Sequence, residues 1–281
     1  MFKHALYPRF SKNVFFKTNS IRKSSINLTT HPKNSELAIV ELNQPPVNSM
    51  GKTLLTDLHD TIVKIENDDQ HRAIILTSAN PGIFCAGLDL LELHNKSEQE
   101  LSEFWSLVQK TCWKLYGTKL ATIASINGAS PAGGCLLALT CDYRVMADFK
   151  RAKIGLNESQ LGLTVPDWLG TICIDAIGQR LGERALVRGT LFSTEEALAV
   201  GMIDELVGVD DVQEAALRAA ESYLKVPELA RSNVKVNCRA KNMDLWSSIQ
   251  DKDSFDFGKM AGTPEAQATI KHVVESLKRR K

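Results

Sequence analysis

Apolar and polar positions alternate over residues 36–42 (ELAIVEL), which predicts a strand, and Gln44-Pro45-Pro46 ends it. Leu54, Leu55, Leu58, Ile62, Val63 and Ile65 then recur near helical spacing, predicting a helix over 51–67. A short apolar run at 72–77 (RAIILT) reads as a buried strand, and Asn80-Pro81-Gly82 turns the chain after it. A second helix is expected over 97–116, with Ser97 as cap and Glu100 as its partner in a capping box. Strands at 121–126 and 142–147 flank a turn at Asn127-Gly128 and a short apolar helix over 133–140. Residues 151–155 are strand-like, helix dominates from Pro166, and one more strand is expected at 203–207. After Pro227 the pattern is all-helical, read as helices at 228–242, 245–258 and 264–281. Strands alternating with helices imply α/β layers. No low-complexity linker interrupts the chain, so one compact unit is expected.

Charge divides the chain unevenly. Residues 1–30 carry Lys3, Arg9, Lys12, Lys17, Arg22 and Lys23 and no acid, interleaved with apolar, Ser and Thr residues. That is the composition of a mitochondrial transit peptide. The expected organisation is therefore a leader over 1–30, an α/β core over 35–226 and a helical C-terminal region over 227–281. That last region would pack on the core or on a neighbouring subunit. Without the leader, 28 basic residues face 33 acidic ones, so no bulk charge favours nucleic acid. No run of roughly 18 apolar residues offers a membrane span. The six cysteines form no CxxC pair and read as reduced core residues of a matrix or cytosolic protein.

Several familiar patterns fail on inspection. Gly51-Lys52-Thr53 lacks the glycine a phosphate loop needs, because that position is Pro46. Gly128-Ala129-Ser130-Pro131-Ala132 ends on alanine where a nucleophile elbow has glycine. The histidines show no metal-ligand spacing, and no GxGxxG follows a strand. No metal and no dinucleotide cofactor are expected.

Three segments remain, each after a predicted strand: Cys85-Ala86-Gly87-Leu88-Asp89, Ser130-Pro131-Ala132-Gly133-Gly134-Cys135 and Gly155-Leu156-Asn157-Glu158. Glu158 is a lone acid in an apolar loop, a setting that holds a carboxyl near its ionisation threshold and suits proton transfer. Gly133-Gly134 open a helix, where backbone amides can hold an oxyanion.

Through FCAGLDL, NGASPAGGCLLALTCDYRVMAD and IGLNESQLGL, the chain resembles the enoyl-CoA hydratase/isomerase (crotonase) superfamily from about Leu37 onward. Within it, the likeness is to the mitochondrial isomerase branch, which moves a 3-enoyl double bond to the trans-2 position. The resemblance implies a crotonase-like spiral of repeated ββα units with a helical C-terminal region, and a homotrimer in the mitochondrial matrix. It implies a coenzyme A thioester as substrate, with no further cofactor. Carried over by motif position, the thioester oxygen would be held by the amides of Ala86 and Gly133, and Glu158 would be the catalytic acid. The family's hydratases use a second glutamate, and here its position holds Leu136. One acid suffices for a 1,3-proton shift, so isomerisation is expected rather than hydration. Asn157 would orient the carboxylate, contact the thioester or cap its turn. Gly87, Leu88, Asp89 and Leu90 would shape the substrate channel, with Asp89 bonded to backbone. Leu136, Leu163, Val165 and Trp168 are candidate walls of the acyl pocket. The alternatives are a hydratase or other acyl-CoA-handling enzyme of this fold, or a non-catalytic acyl-CoA-binding protein.

Overall fold

The structure is a computed structural model that describes residues 24–278. The fold begins with β1 (Ile26–His31) and β2 (Asn34–Leu42), an antiparallel pair that runs into α1 (Lys52–Glu66). Three successive units follow, each made of a long strand, a short strand and, in two cases, a helix before the next strand. They are β3 (Ala73–Ser78), β4 (Gly82–Ile83) and α2 (Glu98–Gly117); β5 (Ala121–Ile126), β6 (Gly128–Pro131) and α3 (Gly133–Thr140); and β7 (Tyr143–Ala147) with β8 (Ile154–Gly155). The long strands join β1, β2 and β9 (Glu205–Val207) in a six-stranded sheet ordered β1-β2-β3-β5-β7-β9, parallel from β2 onward. The short strands form a second parallel sheet, β4-β6-β8. This is the ββα spiral that the resemblance implies. It carries each turn of chain from the large sheet through the small one.

The large sheet is buried on both faces, which is why β3 and β5 read as continuous apolar runs. One face packs on α1, α2 and α3; the other is covered by α7 (Val212–Leu224), whose Ala215, Ala216 and Ala220 let it lie close. Between β8 and β9 run α4 (Asp167–Ile177), α5 (Gln179–Arg188) and α6 (Thr194–Val200). The Ser97 capping box opens α2 as the sequence predicts.

The fold departs from the sequence reading at three places. β1 falls within the span assigned to the leader: Ile26 is buried and pairs with Leu42, so residues 26–30 belong to the sheet, while residues 1–23 lie outside the described part. The strand expected at 151–155 is only Ile154–Gly155. The two helices expected over 228–258 are one helix, α8 (Glu228–Ala261), because no proline or glycine interrupts it before Gly258. The chain then enters α9 (Pro264–Lys278).

Helix α8 packs along α2 of the same chain. Gly258 sits so close that a Cβ there would stand 2.1 Å from Ser102 Oγ and 2.4 Å from the Glu98 carbonyl. Further along, Asp253 Oδ2 accepts hydrogen bonds from Trp105 Nε1 at 2.7 Å, Trp168 Nε1 at 3.0 Å and Gln109 Nε2. Near the start of α8, Lys235 and Arg239 close on the largely buried side chain of Asp142. Among the described residues, no helix is long and apolar enough to cross a membrane.

Candidate active site

The small sheet brings the three sequence segments together. Strand β6 pairs with β4 on one side and with β8 on the other, so the turns after all three strands emerge side by side. After β4 the chain reaches Gly87, which has φ +91°, and a Cβ there would stand 3.2 Å from the Gly133 nitrogen. A side chain at this position would be strained and would cover that amide. After β6, Ala132 adopts φ 49°, ψ −123° as the residue before α3, and its amide donates to the Gly155 carbonyl at 2.8 Å. That bond ties the opening of α3 to β8 and holds a costly backbone geometry in place. After β8, residues 158–161 form a 3-10 turn that ends on left-handed Gly162, and the Leu163 amide donates to the Glu158 carbonyl at 3.1 Å.

These turns enclose a cavity lined by Leu88, Gly133, Leu136, Glu158 and Leu163. All five are sequence-predicted site residues. Trp105, Thr164, Pro166, Leu169 and Phe257 complete the lining. Glu158 Oε2 has no solvent contact and no hydrogen-bond partner. Burial pushes this carboxyl up to about 7, a rise only partly offset by a bond to its own backbone amide. The thiols of Cys135 and Cys173 feel its charge, and burial raises both, Cys173 to about 12, so the wall behind Glu158 stays neutral. Among the described residues, no cation compensates the acid.

The amide donors need one correction. The Ala86 amide, assigned by motif position, donates to the Val47 carbonyl at 3.0 Å. It is already used in the fold. The Gly87 carbonyl and the Asp89 amide are likewise taken by Met50. Between them the Leu88 amide has no acceptor among the described residues, and it lies 3.3 Å from where a Gly133 Cβ would stand. The Gly133 amide, in the first turn of α3, also has no acceptor among the described residues. Two free amides therefore meet on the cavity, and they belong to Leu88 and Gly133. The missing glycine side chains at 87 and 133 leave both open.

The other predicted residues stand behind this wall. Asp89 bonds the Leu91 amide at 3.0 Å, as expected, and starts a short turn that includes Leu90. Neither residue lines the cavity. Asn157 makes no capping bond, and its Oδ1 is buried without a partner. Val165 lines an adjoining groove rather than the cavity. Trp168 is not a pocket wall: its indole donates to Asp253 and stacks on Trp246 with centroids 4.1 Å apart, leaving the cavity to Leu169. Trp105 and Phe257, which sequence reasoning missed, stack with centroids 4.2 Å apart and are brought together by the packing of α8 on α2. Their only sequence signal is an aromatic residue within each helix.

With this geometry in view, the comparisons with known proteins agree. The family model described as enoyl-CoA hydratase/isomerase matches residues 32–279. Enoyl-CoA delta isomerase 1, mitochondrial, from Rattus norvegicus is 41% identical over 245 residues, covering 87% of this chain and 85% of its own length. The Homo sapiens counterpart is also 41% identical, over 87% of this chain and 81% of its own. The crystal structure of human mitochondrial delta3-delta2-enoyl-CoA isomerase superposes with a TM-score of 0.89 at 39% identity, covering 92% of this chain and 100% of that one. An enoyl-CoA hydratase from Bacillus halodurans, at 22% identity and a TM-score of 0.79, shares the fold. By its sequence, its spiral and the convergence of its three turns, the chain belongs to the enoyl-CoA hydratase/isomerase family.

Proposed function

We propose that this protein is an enoyl-CoA delta isomerase, which shifts the double bond of cis- or trans-3-enoyl-CoA to trans-2-enoyl-CoA in unsaturated fatty acid β-oxidation. The observation that carries this reading is the pairing of one uncompensated acid, Glu158, with Leu136 on the same cavity. In the proposed step the Glu158 carboxylate takes a proton from carbon 2. The electron pair left behind spreads over the dienolate onto the thioester oxygen. The Leu88 and Gly133 amides donate to that oxygen, and each such fixed donor is typically worth about 3 kcal/mol in a transition state. Glu158 then returns the proton to carbon 4, the carbonyl re-forms, and the double bond rests between carbons 2 and 3. A carboxyl titrating at about 7 exchanges this proton in both directions near neutral pH.

Hydration would need a second group to hold and deprotonate water, and Leu136 supplies none. A binding protein would gain nothing from an acid kept in apolar surroundings. The proton balance closes on Glu158 itself, so the step as written calls for no cofactor beyond the coenzyme A thioester substrate.

The mitochondrial relatives and the acid-free basic stretch at the N-terminus support a transit peptide and a matrix location. With β1 already part of the sheet at Ile26, the leader would end before it. A homotrimer fits the apolar residues exposed on α8, among them Leu229 and Val234, and sedimentation of the purified protein checks it. The function itself is tested by assaying purified protein on 3-hexenoyl-CoA and 2-hexenoyl-CoA, with absorbance reporting conjugation. Turnover of the first without hydration of the second is expected; hydration of the second as the main reaction would overturn the reading.

A further inference from the structure

The free Leu88 amide sits in a turn whose other polar groups are held by a segment from elsewhere in the chain. Between β2 and α1, residues 47–50 pass alongside residues 84–89 and bond to them almost as a strand would. The Ala86 amide donates to the Val47 carbonyl at 3.0 Å, and the Cys85 thiol donates to the Asn48 carbonyl at 3.1 Å. The Met50 amide donates to the Gly87 carbonyl at 2.8 Å, and the Asp89 amide donates to the Met50 carbonyl at 3.2 Å. Met50 is fully buried, and a Cβ at Gly133 would stand 2.8 Å from its sulfur. Where this segment lies decides where the Leu88 N–H points.

Asn48 fastens the segment in place. It is fully buried and has φ 52°, a left-handed conformation in which asparagine is enriched. Its side-chain amide uses both donors and both acceptor positions. Oδ1 accepts from the Gln44 amide at 2.8 Å and from Asn80 Nδ2 at 3.0 Å. Nδ2 donates to Ser78 Oγ at 2.8 Å and to the Phe84 carbonyl at 3.0 Å. These bonds grip the chain at the end of β3 and again just after β4. Asn48 does not line the cavity. The other parts of the site hang on different bonds: Ala132 ties the opening of α3 to β8, and Glu158 stands on the turn after β8. Asn48 therefore bears on one amide donor and not on the acid.

We infer that Asn48 is a positioning residue for the reaction: by fixing residues 47–50 against residues 84–89, it aims the Leu88 amide at the thioester oxygen. This rests on reading the Leu88 and Gly133 amides as the thioester donors. A donor stabilises a developing oxyanion only while it is held in line with it, so a loosened segment costs rate at the chemical step rather than binding.

The test is isotope-edited infrared spectroscopy of hexanoyl-CoA, labelled with carbon-13 at its carbonyl and bound to the full protein and its variants. This saturated thioester binds without reacting, and two fixed donors should displace its carbonyl stretch to lower frequency than in solution. Asn48→Gly keeps the left-handed backbone and removes the side-chain bonds. It is expected to lose about half of that displacement and at least about tenfold in kcat on 3-hexenoyl-CoA, with KM within about threefold. The pH midpoint near 7 should stay where it is. Asn80→Ala removes a single bond to Asn48 from a partly exposed position and should give a smaller displacement in the same direction, even if Asn48→Gly does not fold. Asn242→Ala deletes a different buried asparagine, bonded to Tyr116 and Asp175, and should cost stability while keeping the full displacement. A folded Asn48→Gly with the parent's displacement, or an Asn80→Ala with it where Asn48→Gly does not fold, overturns the proposal however unstable the variant is. No displacement in the parent protein would sink the reading of the two amides and this inference with it. The expected pattern in a protein that fails to isomerise 3-hexenoyl-CoA would instead sink only the isomerase reading.

Discussion

Asp142 and Glu158 are both carboxylates taken out of water, and their surroundings differ in nearly every respect. Asp142 receives the Thr122 amide and Lys235 Nζ on Oδ2, each at 2.8 Å, and Arg239 Nη2 on Oδ1 at 2.7 Å. Lys235 donates onward to the Leu120 carbonyl, and Arg239 lies over the Tyr116 ring. Glu158 has an oxygen with no partner and neutral thiols behind it. A buried charge is normally tolerated only when it is paired and hydrogen-bonded. Asp142 meets that rule and ties the C-terminal helix to the sheet. Glu158 breaks it, and the cost leaves a proton-accepting group at the point where the free Leu88 and Gly133 amides converge. The compensated acid holds the fold together, and the uncompensated one is available for chemistry.

Removing the compensated acid should do the greater damage to the fold. Asp142→Ala leaves the largely buried side chains of Lys235 and Arg239 without their anion, and burial already pulls Lys235 down to about 8. A loss of about 3–5 kcal/mol is expected in denaturant unfolding. A loss below 1 kcal/mol would mean that water or relaxation compensates the cations and that the contrast is overstated. Asp253 is a second satisfied carboxylate, and Asp253→Ala strands the indoles of Trp105 and Trp168. Thermal unfolding should report a smaller loss, about 2–3 kcal/mol.

The uncompensated acid should show itself in pH dependence. Below about 7 Glu158 is protonated and cannot accept the carbon-2 proton, so kcat/KM for isomerisation should fall about tenfold per pH unit there and level off above it. A flat profile between pH 5 and 8 would remove Glu158 from the role of base. The smallest expected effect is that of Leu136→Glu, which places a like charge on the same cavity and should move this midpoint upward by about one pH unit.

Local patterns made much of this legible in the sequence. The capping box of α2, the alternation of β2 and the glycines around Gly133 depend on neighbours within a few residues. The three site segments could be expected together because each follows a strand. What escaped the sequence depends on distant partners. Whether Ala86 or Leu88 offers the free amide is decided by Val47 and Met50, which reach that turn from another part of the chain. Trp168 looked like a pocket wall until Asp253 on α8 took its indole. Phe257 enters the site only because α8 runs unbroken along α2. Strand β1 was hidden by the basic composition before it, although Ile26 is part of the main core and the partly buried Leu28 packs against it.

If Glu158 is kept for proton transfer at a cost to the fold, one variant shows both effects. Between about pH 4.5 and 7 the folded chain holds a proton on Glu158 that the unfolded chain has released. Stability therefore falls as pH rises through that window and stays lower above it, by at most roughly 3 kcal/mol. Glu158→Gln, measured for turnover of 3-hexenoyl-CoA and for unfolding at pH 8 and pH 4, should lose at least about a thousandfold in kcat. It should also be more stable than the parent protein at pH 8 and nearly equal to it at pH 4. Near-normal turnover, or a variant less stable than the parent at pH 8, would contradict the account.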